Sequence, residues 1–244
     1  MQRYFVELSY NGATFFGWQR QPNELSVQQE IETALTKLNS NILISIVGCG
    51  RTDSGVHAKQ YFFHVDLDPI VDLQYYLFKL NRILPESIVL HSIVTIGDDF
   101  HARFTAKSRT YRYYLNTKKD PFKQGLSWLF TQSLDFEEMN KAGGLLIGTK
   151  DFTSFSKVNT DVKTNICSVS KAKWIKVDST NFYFEITANR FLRNMVRATV
   201  GTLLEIGQGK KSSESILNTI EAKDRGVAAI SVPAHGLFLW EVLY

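Results

Sequence analysis

The residues best suited to chemistry stand in one short loop. Gly50-Arg51-Thr52-Asp53-Ser54-Gly55-Val56-His57-Ala58 follows the apolar run Ile42–Val47 and sets one carboxylate close to a guanidinium. A lone carboxylate can act as nucleophile or as base, and an adjacent cation can hold a phosphate. Asp, Ser and Gly are also ordinary turn residues, so composition alone leaves a plain turn open. The five histidines invite a metal reading, yet His57 and His64 lie across a strand with no ligand-spaced partner. The two cysteines, Cys49 and Cys167, are not at metal-ligand spacing either, and two cysteines make no disulfide framework. No bound metal is expected.

The elements that must position this loop recur in a fixed order. Arg3–Tyr10 reads as a strand closed by Asn11-Gly12. Ser26-Val27-Gln28-Gln29 is a capping-box start, after which Ile31, Leu35 and Leu38 fall at helical spacing. Ile42–Val47 and Gln60–Leu67 read as strands, Asp72–Leu84 as a helix stopped by Pro85, and Ile88–Ile96 as a strand. In the second half, Thr105–Asn116, Ile166–Val177, Phe182–Thr187 and Leu237–Leu243 read as strands. Asp135–Ile147, Arg190–Ile206 and Ser213–Ala222 read as helices. The order β-α-β-β-α-β thus occurs twice, and each pass is similar to a ferredoxin-like unit. An α+β chain of two halves, 1–103 and 104–244, is expected. Each half would carry its helices on one sheet face, with a site in a cleft between them. Phe15, Phe16 and Trp18 predict a buried or interface cluster.

Net charge is +4, from 28 basic and 24 acidic residues, a mild excess. Its distribution says more. Arg103–Lys123 holds seven basic residues and one acid, Asp120; Asn189–Lys211 holds five and one, Glu205. Two such segments suit a surface that tracks a phosphate backbone, and suit a pair of solvated faces equally. With 44% hydrophobic and 21% charged residues the composition is that of a soluble globular protein. No stretch reaches the length of a membrane span and no export signal opens the chain, so a reducing cytoplasm is the expected location.

The full string Gly50-Arg51-Thr52-Asp53-Ser54-Gly55-Val56-His57 resembles the active-site signature of the pseudouridine synthases that act on the tRNA anticodon arm, the tRNA pseudouridine synthase A family. Further blocks resemble that family in order along nearly the whole chain. They are Phe100–Phe104, Ser108–Tyr113, Asp151–Phe155, Phe191–Arg197 with Gly201, and Pro233–Leu237.

The resemblance implies the pseudouridine synthase fold, with a mainly antiparallel central sheet, helices on one side and an RNA-binding cleft on the other. It implies that Asp53 is the catalytic carboxylate, that Arg197 forms an ion pair with it, and that Tyr111 stacks on the uracil or takes part in proton transfer. A buried carboxylate tends to become protonated unless a cation holds it ionised, which gives Arg197 its role. The isomerisation breaks the N-glycosidic bond, turns the base and joins its C5 to C1′, with no net oxidation, so no cofactor is expected. A uridine in a stem must be flipped out at a few kcal/mol. Arg51 can fill the vacated space or hold a phosphate, and Arg20, Arg103, Lys107 and Arg109 are further phosphate candidates. The expected partners are tRNA and a second copy of the chain, as a homodimer. Two other classes remain to be weighed. Paired RNA-recognition domains would carry an aromatic-rich RNA-binding strand motif, which is absent from the sequence. A metal-dependent phosphatase or nuclease would need clustered acids, and the loop has one.

Overall fold

The computed structural model describes residues 1–158 and 163–244. The fold is α+β, with mainly antiparallel strand pairing. By contact the chain forms two compact units, Met1–Lys107 with Leu239–Tyr244, and Ser108–Phe238. The first unit thus runs to Lys107 and takes in Leu239–Tyr244, which holds the larger part of the last strand. Its hydrogen bonds show why. The Val242 N–H donates to Gln60 Oε1 at 3.0 Å, the Lys107 N–H to the Leu243 carbonyl at 2.8 Å, and the Tyr244 hydroxyl to the Ala102 carbonyl at 2.6 Å.

The first unit runs β1 (Gln2–Tyr10), α1 (Val27–Leu38), β2 (Val47–Gly48), β3 (His57–Leu67), α2 (Leu73–Ile83) and β4 (Ile88–Ile96). β10 (Leu237–Leu243) completes the sheet, whose order is β4-β1-β3-β10. Period-two alternation on β1 buries Tyr4, Val6, Leu8 and Tyr10, and the register sets Tyr4 opposite Val65, Val6 opposite Phe63 and Leu8 opposite Tyr61. The apolar stripe Val27, Ile31, Ala34 and Leu35 of α1, with Leu77 and Leu80 of α2, is buried as well. Ser26 and Asp72 cap the two helices, accepting the N–H groups of Gln29 at 3.3 Å and Tyr75 at 2.9 Å.

The strand expected over Ile42–Val47 does not form, and only Val47–Gly48 pairs with β3. Side chains of α1 take the donors a ladder would use. The Ile46 N–H goes to Glu32 Oε1 at 3.1 Å and the Ile44 N–H to Thr36 Oγ1 at 3.2 Å.

His64 on β3 is 5% exposed, and its Nδ1 accepts the Ala102 N–H at 3.1 Å. Burial, then the nearby Arg3 and His101 charges, push its pKa from the ordinary 6.5 down to about 4. The unfolded chain protonates near 6.5 and the folded one only near 4, so this contribution to stability is complete above pH 6.5 and is lost as pH falls to about 4. The loss should approach roughly 3 kcal/mol. Urea unfolding at pH 7 and pH 4.5 should show a smaller pH-dependent loss in His64→Gln than in wild type; equal losses would refute the assignment.

The second unit runs β5 (Ser108–Asn116), β6 (Trp128–Leu129), α3 (Phe136–Leu145), β7 (Gly148–Asp151), β8 (Ile166–Lys176), β9 (Asn181–Ala188), α4 (Met195–Gly207) and α5 (Ser215–Ala222). Its sheet order is β5-β9-β8-β7, with β6 pairing parallel to β5. Tyr111, Tyr113 and Leu115 share one face of β5, opposite Ile186, Phe184 and Phe182 of β9. The other face carries an ion-pair group in which the buried Glu185 meets Arg112 at 2.5 Å and Lys171 at 2.6 Å.

The long helix starts at Met195, not at Arg190. Asn194 holds a left-handed backbone, φ 70°, and donates through Nδ2 to Ser231 Oγ at 2.6 Å. A helical path cannot pass through that residue, so Arg190, Phe191 and Arg193 lie in the turn ahead of the helix.

Candidate active site

The Asp53 loop is held by backbone contacts with the segment that follows β1. The Trp18 N–H donates to the Thr52 carbonyl at 3.2 Å and the Gly55 N–H to the Phe15 carbonyl at 3.2 Å. The Gly12 N–H donates to His57 Nδ1 at 3.0 Å, and the Tyr10 and Thr52 hydroxyls meet at 2.8 Å. The approach leaves no room for side chains. A Cβ on Gly12 would lie 2.0 Å from the Val56 carbonyl oxygen, and one on Gly17 would lie 2.5 Å from that of Thr52. Gly17 also has φ +90°, which L side chains rarely adopt.

Behind the loop, Tyr61 stacks on Trp18 with ring centres 4.0 Å apart and its hydroxyl donates to the Gly50 carbonyl at 2.5 Å. Within the loop the Val56 N–H closes on the Asp53 carbonyl at 3.2 Å. The backbone of Asp53 is thus fixed from both sides, while its side chain stays half-buried. Of the aromatic trio, Phe15 and Trp18 are buried and Phe16 is half exposed.

Tyr111 and Arg197 belong to the second unit. Tyr111 is buried on β5, with the Phe191 ring edge-on at 4.9 Å. Arg197 lies in the first turn of α4, where its Nε donates to the Val232 carbonyl at 2.8 Å and its own carbonyl accepts the Val232 N–H at 3.3 Å. Nε is committed to that carbonyl, which fixes the direction of the guanidinium.

The segment through Val232 is itself tightly seated. A Cβ on Gly201 would lie 2.2 Å from the Ile230 carbonyl oxygen, and one on Gly236 would lie 2.8 Å from the Tyr113 ring. The Tyr113 hydroxyl donates to the Pro233 carbonyl at 2.9 Å, and burial pushes its pKa up, so it remains a neutral donor.

The phosphate candidates are scattered. Arg51 is exposed beside Asp53. Arg20 lies 3.7 Å from the buried Glu32 carboxylate, at the edge of a depression of about 480 Å³ lined by Gln21, Pro22, Leu25 and Gln29. Lys107 donates to the Tyr244 carbonyl at 3.1 Å and Arg109 to that of Asn189 at 3.1 Å. Arg103 is exposed next to Phe104. Arg51, Arg20, Arg103 and Lys107 fall in the first unit and Arg109 in the second. Among the described residues no group of three or more His, Cys, Asp or Glu could hold a metal ion, and no helix is long and apolar enough to cross a membrane.

Residue types give no sign of Gly17 and Tyr61 as supports of the Asp53 loop, or of Tyr113 and Val232 as supports around the Arg197 segment. Asn11-Gly12 was legible only as a turn, and Gly17 was hidden among aromatics. The carbonyl that receives Arg197 Nε carries no side-chain signature at all.

Comparison with known proteins places this α+β chain in the pseudouridine synthase class of RNA-modifying enzymes. A family profile described as tRNA pseudouridine synthase matches residues 142–244. The chain is 52% identical to tRNA pseudouridine synthase A of Parabacteroides distasonis, over 100% of this chain and 96% of that protein. It is 48% identical to that of Porphyromonas gingivalis, over 100% and 98%, and 40% identical to that of Bacillus subtilis, over 97% of each chain. The chain belongs to the tRNA pseudouridine synthase A family, whose members are isomerases that convert uridine to pseudouridine.

Proposed function

We propose that this chain isomerises uridine to pseudouridine at positions 38, 39 and 40 in the anticodon stem-loop of tRNA. In this reading Asp53 is the catalytic carboxylate, serving as nucleophile or base toward a flipped-out uridine. Arg197 holds it ionised through an ion pair, and Tyr111 stacks on the uracil or moves a proton at C5. Arg51 enters the space the base leaves, and Arg20, Arg103, Lys107 and Arg109 hold backbone phosphates. The enzyme works as a cytoplasmic homodimer, without a cofactor or a metal.

The observation that carries the reading is the complete Gly50–His57 string, pinned by Trp18, Gly55 and Gly12 backbone groups so that one carboxylate is presented with its chain fixed. Preorganisation of that kind is what a single-residue catalyst needs, because a small misplacement of the reacting group costs orders of magnitude in rate. The chemistry balances without a co-reactant. The N1–C1′ bond breaks, the C5–C1′ bond forms, C5 gives its proton to water and N1 gains one.

The test uses unmodified tRNA transcripts tritiated at uracil C5, incubated with the protein without added metal. Tritium should pass to water, and transcripts with cytidine at positions 38, 39 and 40 should release none. Undiminished release from those transcripts would refute the anticodon-arm assignment. Binding with no release from any transcript would favour a non-catalytic RNA-binding protein. Magnesium-dependent cleavage of the chain would favour a nuclease.

A further inference from the structure

Phe104 is 74% exposed in a turn that is otherwise tightly determined. The His101 Nδ1 accepts the N–H groups of Arg103 at 3.1 Å and Phe104 at 3.3 Å. The His101 N–H donates to Thr105 Oγ1 at 3.0 Å, and the Thr105 N–H returns to the His101 carbonyl at 3.0 Å. Between them the Ala102 N–H is tied to His64 Nδ1 on β3, and the Ala102 carbonyl to the Tyr244 hydroxyl. The turn is thus anchored to the sheet at its centre and closed at its ends.

The Phe104 ring rests on the His101 imidazole, with centres 4.3 Å apart and planes 29° from parallel. The Arg103 guanidinium lies 5.6 Å from the ring centre. The His101 ring meets His64 edge-on at 4.8 Å. An isolated exposed phenylalanine is unremarkable on a protein surface. A phenylalanine backed by a second π-system, held rigid and flanked by a cation is a different object. It offers stacking surface whose ordering cost has been met before any ligand arrives.

We propose that Phe104 is a stacking platform for an unpaired nucleobase of the tRNA, with Arg103 engaging the phosphate beside that base. The proposal rests on the tRNA-directed function above and adds a contact to it. Charge favours RNA over a protein partner as the occupant, since the exposed side chains beside Phe104 in the same unit include the cations Arg103 and Lys107. Single-stranded nucleic acids are held by this combination of aromatic platform and cationic backbone contact. Stacking on Phe tolerates any base, so the contact would add affinity and register without reading sequence.

The experiment measures tRNA binding and tritium release for wild type, Phe104→Ala, Phe104→Leu and Phe104→Trp, with urea unfolding as the check on folding. Phe104→Ala and Phe104→Leu should each weaken tRNA binding about 5- to 50-fold, the size expected for one lost stack. Phe104→Trp should bind as tightly as wild type or tighter. Saturating tRNA should restore kcat in all three, so the loss appears in KM. Wild-type affinity in Phe104→Ala would overturn the proposal, as would full affinity in Phe104→Leu, which keeps apolar bulk but no π-face. A shift in sedimentation of Phe104→Ala with unchanged tRNA affinity would assign the residue to a protein interface instead and also overturn it. Failure of the wild type to release tritium would strike the underlying function, a result separate from these.

Discussion

Asp53→Asn is expected to lower kcat for tritium release by roughly 10⁴-fold or more while leaving tRNA affinity within about threefold of wild type. The substitution keeps the shape of the side chain and removes its charge and its basicity. The loop does not depend on the carboxylate for its path, because Trp18, Gly55, Gly12 and Val56 fix it through backbone bonds. Stability should therefore change by less than about 1 kcal/mol, as for a substitution at a half-exposed side chain. Binding should survive because affinity for RNA is dominated by contacts to phosphates. Measured under single-turnover conditions, with binding assayed in parallel, a variant that turns over at a tenth of the wild-type rate would exclude Asp53 as the catalytic group.

Gly17→Ala is expected to have the second largest effect, and through geometry alone. Its Cβ would fall 2.5 Å from the Thr52 carbonyl oxygen and 3.2 Å from the Asp53 carbonyl carbon, on a backbone with φ +90°. The clash is with backbone rather than with a side chain that can swing away. Strain at such a φ costs about 1–3 kcal/mol and overpacking costs a similar amount. A destabilisation of about 2–4 kcal/mol should follow, with kcat/KM down about 100-fold as the Asp53 loop is pushed off its track. Gly50→Ala supplies the contrast, since a Cβ there meets nothing within 4 Å. Its stability should stay within about 1 kcal/mol of wild type. Urea unfolding of the two variants checks the pair, and equal stabilities would show that close backbone approach at Gly17 does not set the loop.

Much of this was legible in the residues. Strand β1 declares itself by alternation, and α1 and α2 by capping side chains followed by an apolar stripe, so their ends fall within a residue or two of expectation. What failed to show was decided by tertiary hydrogen bonds. Ile42–Val47 has the composition of a strand, but Glu32 and Thr36 intercept its donors, and no local pattern encodes an interception by a helix some ten residues away. β7 is the polar run Gly148-Thr149-Lys150-Asp151 on a sheet edge, with no apolar period to read. Arg190–Ile206 has continuous helical periodicity, yet Asn194 in the left-handed region delays the start of the helix to Met195.

The site divides in the same way. Asp53 stood out through its motif, and Tyr111 and Arg197 through blocks that resemble those of the same family. The groups that fix the Asp53 loop and Arg197 are backbone carbonyls of Thr52, Phe15 and Val232 and the space left by glycines, which have no side chains to announce a role.

The chemistry itself can be read from one quantity, the pseudouridine content of a single tRNA transcript digested to nucleosides after incubation with excess enzyme and no added metal. Wild type should convert uridine within the anticodon arm to pseudouridine, and Asp53→Asn should leave that transcript bound and unchanged. Pseudouridine accumulating at a similar rate with Asp53→Asn, or none appearing with a wild-type protein that binds the transcript, would contradict the central claim.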